Sequence, residues 1–308
     1  MKASALKNKN TSSRLNRNIG ENAAFWILMS PFLIFFFLFT ILPVLSSIVL
    51  SFFSYDTVSL PKFNFLTNYL RMFTGDEVFP KAVLNTLKFA VVTGPLSYLL
   101  AFLLAWLINE FNPTVRTILA FIFYAPELTG NAYFIWQVAF SGDSFGYANS
   151  LLISLGLITE PINWFRNIQY STVILMIVQL WGSIGISFLA NISGLQNVNP
   201  ELYEAGALDG IKNRWYELWY ITLPGMKDIL LFGAVMQIQA SFAVGPVIQM
   251  LAGYPSTNNA VDTIVTHLSD VGTVRYEMGY ASAISTVLFL MMLIARVLIG
   301  KILDALGK

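Results

Sequence analysis

Long uncharged apolar segments dominate this sequence and restrict the folds that it can adopt. No charged side chain occurs in residues 22–55, 89–109, 167–200 and 229–261. A helix needs about 20 mostly apolar residues to cross the hydrocarbon core of a lipid bilayer. Hydrophobic residues make up 56% of the chain and charged residues only 11%, whereas about a quarter of the residues of a soluble protein are charged. The sequence therefore predicts an all-α integral membrane protein.

Charged residues mark the ends of six predicted membrane spans, which follow a polar N-terminal tail over residues 1–21. The membrane domain is residues 22–308, and its predicted spans are about 25–50, 84–109, 117–140, 170–195, 229–252 and 278–303. Basic residues precede the first span, as they would precede a signal peptide, but its apolar run is too long for one. We expect the first span to be retained as a membrane helix.

The distribution of Lys and Arg predicts the orientation of the spans. With six spans, 12 of the 18 Lys and Arg residues fall on the side of the N-terminus, and five of them lie in the tail. Cytoplasmic segments carry the excess of Lys and Arg in membrane proteins. We therefore expect a multi-pass protein of the cell membrane with both termini in the cytoplasm.

The composition argues against several kinds of chemistry. A formal net charge of +1 provides no basic field for nucleic acid. The chain has no Cys and one His, so we expect neither a thiolate nor a histidine-based metal site. It also lacks the G-x-x-x-x-G-K-[ST] loop that cradles the phosphates of ATP. We therefore expect no cofactor in this chain.

The loop over residues 196–228 carries the most specific local pattern. Asn199 suits the N-cap of a helix and Pro200 suits its first position. Gly210 suits the end of that helix, because glycine accepts the left-handed conformation of a sharp turn. A second helix is predicted over residues 212–222. The residues expected on one face of this second helix are Trp215, Leu218 and Trp219.

The same loop closely resembles the signature of bacterial ABC importer permeases, in which a short helix docks into the ATPase subunit. The family pattern is Glu-Ala-Ala, three residues, Gly, nine residues and Ile-x-Leu-Pro. The residues identified here for ATPase coupling are Glu204, Ala205, Gly206, Asp209, Gly210, Ile221, Leu223 and Pro224. Ten residues rather than nine separate Gly210 from Ile221, and one extra residue is expected to rotate the second helix by about 100°.

Shorter matches extend the resemblance over nearly the whole chain. They include Leu50-Ser51-Phe52-Phe53, Leu84-Asn85-Thr86-Leu87 and Met278-Gly279-Tyr280-Ala281. The chain resembles the carbohydrate-type permeases, and among them the maltose-permease-like first permease of oligosaccharide and glycerol-phosphate importers. The resemblance implies the six-helix type I permease fold with a cytoplasmic coupling helix, in a bacterial cell membrane.

The resemblance also implies a set of partners. A second permease subunit would form a heterodimer with this chain, and the two would enclose the translocation path. Two separate ATPase subunits would bind ATP and Mg²⁺ and act on the loop around Glu204 to Gly210. An extracytoplasmic solute-binding protein would deliver a sugar, which we expect to be an oligosaccharide.

Polar and aromatic residues within spans three to five are the candidates for the sugar path, as the resemblance implies for these helices. They are Tyr124, Glu127, Trp181, Gly182, Ser183, Gln237, Ser241 and Val244. Glu127 is costly in lipid, so it either serves transport or caps a helix break at Pro126. Tyr124, and Trp181 with its small neighbours, could equally serve helix packing. Gly245-Pro246 predicts a kink in span five.

Two other classes of protein fit the sequence less well than an importer does. An ion-coupled secondary transporter would need an ion relay and usually an internal repeat, and this sequence offers one intramembrane Glu and no repeat. An intramembrane enzyme would need a motif such as H-E-x-x-H, which does not occur. His267, in the last outer loop with Asp262 and Asp270, is expected to be solvated.

The predicted topology can be checked with reporter fusions. A reporter joined after Gly142 should be active only outside the cytoplasm, and one joined after Gly210 only inside it, because an odd number of spans separates the two sites. If both fusions reported the same side, the predicted arrangement of spans would be wrong.

Overall fold

The computed structural model describes residues 25–129 and 132–306, which are almost entirely helical. The helices are α1 Phe25–Leu50, α2 Thr67–Thr74, α3 Val78–Ile108, α4 Pro113–Leu128, α5 Tyr133–Ala139, α6 Tyr147–Ser154, α7 Ile168–Ser183, α8 Gly185–Asn197, α9 Pro200–Leu208, α10 Arg214–Glu217, α11 Lys227–Phe242, α12 Pro246–Leu251, α13 Ile264–Ser269 and α14 Met278–Leu306. Turns of π-helix occur at Phe37–Ile41, Leu218–Thr222 and Asp270–Val274, and shorter helical turns at Leu223–Gly225 and Thr257–Asn259. Two antiparallel strands, β1 Phe53–Ser54 and β2 Lys62–Phe63, form a small hairpin.

Asparagine side chains begin four of these helices. The side-chain oxygens of Asn112, Asn167, Asn199 and Asn213 each accept a backbone N–H two or three residues later, over 2.9–3.1 Å. Such a cap satisfies one of the N–H groups that a helix leaves free at its start. The predicted N-cap at Asn199 is therefore confirmed.

Four helical segments are individually long and apolar enough to cross a membrane. They are Phe25–Leu50, Val78–Ile108, Lys227–Leu251 and Met278–Ile302. Two bent pairs pass the same test together, so the number of candidate spans rises to as many as six. The predicted kink before Pro246 is confirmed, since α11 ends at Phe242 and α12 starts at Pro246.

The two bent pairs fall where the sequence predicted the third and fourth spans, at 117–140 and 170–195. Helices α4 and α5 are bent by 85°, and α7 is bent by 41° from the segment Ser187–Asn197. Each bend coincides with residues that disfavour a continuous helix: the sequence carries Thr129-Gly130-Asn131 at the first, and Gly182 and Gly185 flank the second. The two spans remain predictions, and each contains a bend. The break expected at Pro126 falls slightly later, because α4 continues through Pro126 to Leu128.

Helices α3, α8 and α11 pack against one another and form the centre of the molecule. An added Cβ on Gly94 of α3 would lie 3.2 Å from the hydroxyl of Ser241 in α11, so these backbones approach closely. The Ser187 hydroxyl of α8 donates to the carbonyl of Gly233 in α11 over 3.1 Å. Lipid gives helices no hydrophobic reason to associate, so close contacts of small residues are what hold them together.

The segment after α12 folds over the N-terminal ends of α3 and α14, at the end of the molecule opposite to the loop over 196–228. We call this the outer end, after the orientation that the sequence predicts. His267 is only 1% exposed there, and its Nε2 lies 2.8 Å from Asp76 Oδ2. The Tyr280 hydroxyl donates to the same oxygen over 2.6 Å. The prediction of a solvated His267 is therefore wrong, because Tyr254, Asp76 and Tyr280 enclose its ring.

The environment of Asp76 favours its charged form. Burial raises the pKa of this carboxyl group, but hydrogen bonds from Tyr280 and from the Phe79 N–H, together with nearby His267, lower it more. The net pKa of Asp76 therefore lies below its ordinary value, as expected for a carboxylate that accepts several hydrogen bonds.

Helix α1 and the hairpin lie against α14. Every described side chain of α1 is at least partly exposed, and the hydroxyls of Ser47 and Ser285 join it to α14 over 2.9 Å. The Gly279 N–H donates to the carbonyl of Tyr55 over 3.0 Å. An added Cβ on Gly279 would overlap the carbonyl oxygen of Phe53. Only glycine lets the hairpin backbone pack this closely on the helix.

This contact predicts that Gly279→Ala destabilises the protein by about 1–3 kcal/mol, because backbone atoms cannot move aside as a side chain can. The measurement is the unfolding temperature of the purified protein in detergent. Gly300→Ala is the matched control, since a Cβ on Gly300 meets no atom within 4 Å. Equal unfolding temperatures for the two variants would contradict the proposed packing.

Candidate functional site

Helix α9 has the length and the ends that the sequence predicted. It starts behind the Asn199 cap and ends at Leu208, with Asp209 as the C-cap. Gly210 follows with a φ of +92°, a conformation that residues with a Cβ rarely adopt. The Gly210 N–H donates to the carbonyl of Ala207, and the Ile211 N–H donates to that of Gly206 over 2.9 Å. This pair of bonds is a Schellman motif.

Gly206 is the one buried residue of α9, and it lies against the turn that follows α10. An added Cβ there would lie 2.6 Å from Cδ1 of Ile221 and 3.4 Å from Cδ1 of Ile211. Gly206 therefore lets the end of α9 pack directly on these two side chains. An alanine could be accommodated here, because the nearest atom is the tip of the Ile221 side chain.

The second half of the loop differs from the prediction in two ways. Residues 211–213 are not helical, and a π turn spans Leu218–Thr222. The expected rotation of about 100° assumed one regular α-helix, so it does not apply to this segment. The predicted common face is also wrong, because Leu218 is buried whereas Trp215 and Trp219 are exposed.

The loop is anchored to the ends of the spans by a shared apolar cluster. Leu218 and Ile221 pack with residues of α3 and α8, among them Phe102 and Phe188, and Leu223 lies against the cluster. The Tyr203 hydroxyl of α9 lies 2.9 Å from the Thr222 hydroxyl. A force applied to α9 would therefore be transmitted to the central helices rather than absorbed by a loose loop.

The outward side of α9 is exposed in the part of the chain that the structure describes. Its exposed residues include Glu204, Ala205, Leu208, Asp209 and Gly210, and Pro224 is exposed in the following turn. Leu208 is 90% exposed. The carboxylates of Glu204 and Asp209 and the apolar side chain of Leu208 are therefore accessible on this side.

A cleft of about 230 Å³ lies between the loop and the end of α3. Arg214 forms an ion pair with Glu110, and its guanidinium carbon lies 4.6 Å from the ring centre of Trp106. The Trp106 and Trp215 rings are 5.3 Å apart. These contacts hold the start of α10 against the last turn of α3.

The first group of predicted sugar-path residues gathers where α4 and α7 end. Tyr124 and Glu127 lie in the last turns of α4, and Trp181, Gly182 and Ser183 end α7. Tyr124 and the three α7 residues are partly buried, and Glu127 is exposed. Both helix breaks therefore fall beside the predicted group.

Contacts across the breaks bring the two pairs of helices together. A Cβ on Gly185 would lie 3.0 Å from Cβ of Glu127, so the glutamate lies against the start of α8. A Cβ on Gly182 would lie 3.2 Å from the Tyr133 hydroxyl of α5. The Trp181 ring lies 5.7 Å from the Trp136 ring of α5.

The second group of predicted sugar-path residues is packed inside the chain. Gln237 and Ser241 are each 2% exposed and Val244 is 1% exposed. Gln237 Oε1 lies 3.2 Å from the Ser187 hydroxyl oxygen, and the Ser241 hydroxyl donates to the carbonyl of Ile238. In this state, a ligand beside Trp181 would not reach these side chains without a movement of the helices.

The structure adds polar residues that the sequence reasoning did not select. The Ser97 hydroxyl of α3 lies 2.7 Å from that of Ser183. Asn191 of α8 is fully buried, and its amide has no hydrogen-bond partner in the described part of the chain. The sequence already marks these residues, because Ser97 and Asn191 are polar and lie within long uncharged runs. A buried polar side chain in such a run is costly unless it is paired.

Comparisons with known proteins agree with this architecture. Residues 84–307 match the family described as "Binding-protein-dependent transport system inner membrane component". The chain is 31% identical over 286 residues to the probable ABC transporter permease protein YesP of Bacillus subtilis, covering 91% of this chain and 90% of that protein. It is 30% identical to the arabinooligosaccharides transport system permease protein AraP of the same species, covering 92% and 89%. The lactose transport system permease protein LacF of Rhizobium radiobacter is 29% identical, with 86% and 89% covered.

The fold matches that of a solved importer. A chain of a bacterial ABC transporter involved in the import of the acidic polysaccharide alginate superposes with a TM-score of 0.76 at 22% identity, over 96% of this chain and 100% of that chain. The fold is therefore that of an ABC importer permease, and the family predicted from the loop is confirmed. The chain belongs to the family of binding-protein-dependent transport system inner membrane components.

Proposed function

We propose that this chain is a permease subunit of an ATP-driven importer for a sugar, and that the sugar is an oligosaccharide. The family assignment carries the transport role. The names of relatives support the substrate class, since they include permeases for arabinooligosaccharides, lactose and sulfoquinovosyl glycerol. The alternative of an ion-coupled secondary transporter receives no support from this family.

In this proposal, α9 is the coupling helix that docks into an ATPase subunit. Its exposed side, with Glu204, Ala205, Asp209 and Gly210, offers the contact surface. Its buried side, with Gly206 against Ile221, ties it to the cluster that includes α3 and α8. Two partner ATPase subunits bind ATP and Mg²⁺ and supply the chemical energy. This chain supplies the coupling helix and half of the sugar translocation path.

The remaining partners follow from the same proposal. A second permease subunit completes a heterodimer, an extracytoplasmic solute-binding protein delivers the sugar, and lipid surrounds the six spans. A solved neighbour was crystallised with a periplasmic protein bound to an alginate pentasaccharide, which supports a binding-protein partner. Both termini lie in the cytoplasm in this arrangement, so the outer end meets the binding protein.

For the sugar path, we propose Tyr124, Glu127, Trp181, Gly182 and Ser183 as the accessible wall. They gather at the two helix breaks, where a small rotation changes the exposure of an aromatic ring. Gln237, Ser241 and Val244 lie behind this wall and become part of the path when the central helices move apart. Sugars stack on aromatic rings through their apolar faces and form hydrogen bonds with amides and hydroxyls.

The docking proposal predicts the effect of reversing one charge. Glu204→Lys should lower sugar-stimulated ATP hydrolysis more than about tenfold, because a reversed charge in a protein interface costs several kcal/mol. The measurement is ATP hydrolysis by the assembled complex with loaded binding protein. Glu160→Lys is the control, since Glu160 is equally exposed but lies between α6 and α7.

A second variant separates docking from folding. Gly210→Val imposes a β-branched side chain on a φ of +92°, so the end of α9 must change. We expect the membrane helices to remain folded while ATP hydrolysis is lost. Full transport by well-expressed Glu204→Lys and Gly210→Val proteins would rule out docking through α9.

The sugar-path proposal predicts that Trp181→Ala lowers transport more than Gln237→Ala. The tryptophan loses both stacking area and the shape of the wall, whereas loss of one neutral hydrogen bond costs about 0.5–1.5 kcal/mol, or up to roughly tenfold in affinity. The measurement is transport together with sugar-stimulated ATP hydrolysis, at constant basal hydrolysis. Leu290→Ala is the control, because Leu290 is 50% exposed on α14. Wild-type transport by both variants would place the path elsewhere.

A further inference from the structure

The segment that follows the turn at Gly210 exposes four aromatic side chains on one face. Trp215, Tyr216, Trp219 and Tyr220 are 56%, 57%, 65% and 68% exposed. Tyr216 and Tyr220 are stacked, with ring centres 6.2 Å apart. Trp215 lies four residues before Trp219, and Tyr216 four residues before Tyr220, so each pair is aligned along the segment. The two pairs are about 100° apart around the axis and together cover its exposed half. We call them the aromatic face.

The opposite side of the same segment is fixed inside the protein. Leu218, Ile221 and Thr222 are each 8% exposed or less, and two of them belong to the apolar cluster at the ends of α3 and α8. The segment therefore cannot turn its aromatic face inward. A helix face that meets water usually carries charged residues, as α9 does with Glu204 and Asp209.

Contacts with α3 fix the position of the aromatic face along the axes of the membrane spans. The Trp215 ring lies 5.3 Å from that of Trp106, which stands two residues before α3 ends at Ile108. Arg214 is paired with Glu110, just beyond that end. The next span begins soon afterwards, at Lys227. The aromatic face therefore lies level with the ends of two membrane-spanning helices.

We propose that the aromatic face lies in the headgroup layer of the bilayer and contacts lipid. Trp and Tyr concentrate in this layer, because their rings are apolar and their N–H and O–H groups are polar. Lys212 and Lys227 flank the segment and suit anionic headgroups. The other possible covers, an ATPase subunit or the second permease, are outcomes that the experiment below distinguishes.

The proposal gives the segment a mechanical role that rests on the proposed docking of α9. Aromatic side chains anchored in the headgroup layer would hold the segment at constant depth in the membrane. The movement of an ATPase subunit against α9 would then be passed to the membrane helices rather than displace the segment. The lipid contact itself depends only on the membrane spans. Its failure would therefore leave the docking of α9 untouched.

The experiment measures the depth of single fluorescent labels. The chain has no Cys, so Trp219→Cys provides a unique labelling site on this subunit within the complete complex in lipid nanodiscs. Quenching is compared between lipids that carry a nitroxide in the headgroup and lipids that carry it deep in the acyl chain. Leu208→Cys on α9 and Leu290→Cys on α14 are labelled as controls, and Tyr220→Cys repeats the measurement if the first variant fails to assemble.

The label at Trp219 should be quenched about twofold more by the headgroup nitroxide than by the deep one. The label at Leu290 should show the reverse order, and the label at Leu208 should respond weakly to both. Two results would overturn the proposal: a Trp219 label as insensitive to lipid as that at Leu208, which means that protein or water covers the face, or a label quenched mainly from the deep position.

Discussion

Backbone hydrogen bonding in lipid is the constraint on which this structure depends. Hydrocarbon offers no partner for a free N–H or C=O group, so a chain that crosses a bilayer must satisfy these groups within its own helices. The long helices α1, α3 and α14 meet this requirement over most of their length, with interruptions of the hydrogen-bond ladder at prolines such as Pro95 of α3. Irregular backbone at the α4–α5 and α7–α8 breaks is tolerable only where it faces protein or a water-filled path. This constraint agrees with the proposed position of the sugar path beside the two breaks.

Glycine has two distinct roles in the loop over residues 196–228. Gly210 provides a conformation that other residues avoid, and Gly206 provides space for Ile221. Together they turn a nine-residue helix into a rigid part that is exposed on one side and anchored on the other. The same side chains could not be presented to a partner by a flexible loop without a large loss of conformational entropy on binding.

The sequence was most informative where one residue type determines the local outcome. The cap at Asn199, the end of α9 before Gly210 and the kink before Pro246 each follow from backbone rules that act over a few residues. The family also followed from the loop, because its pattern joins length, spacing and position between spans. The runs with few charges predicted spans three and four but not the size of their bends, although helix-disfavouring residues occur at both places.

Side-chain environments were the least predictable part. His267 looked like a loop residue because nothing near it in sequence reveals that Asp76, nearly two hundred residues earlier, lies against its ring. Gln237 and Ser241 are both buried in α11, but the sequence could not tell whether they meet a ligand or α3 and α8. Whether Leu218 joins Trp215 and Trp219 likewise depended on a π turn, which single-residue preferences do not predict.

The contacts of α14 bear on which parts of the molecule can move. Gly279 of α14 packs against the hairpin backbone, and the hydroxyls of Ser47 and Ser285 join α14 to α1 about six residues further along the helix. These two attachments, together with the Gly279 N–H bond to the Tyr55 carbonyl, hold α1, the hairpin and α14 against one another. If the path opens as proposed, by separation of the central helices, these contacts would let α1 and the hairpin follow α14 while the bends beside Trp181 and Glu127 absorb the change of angle.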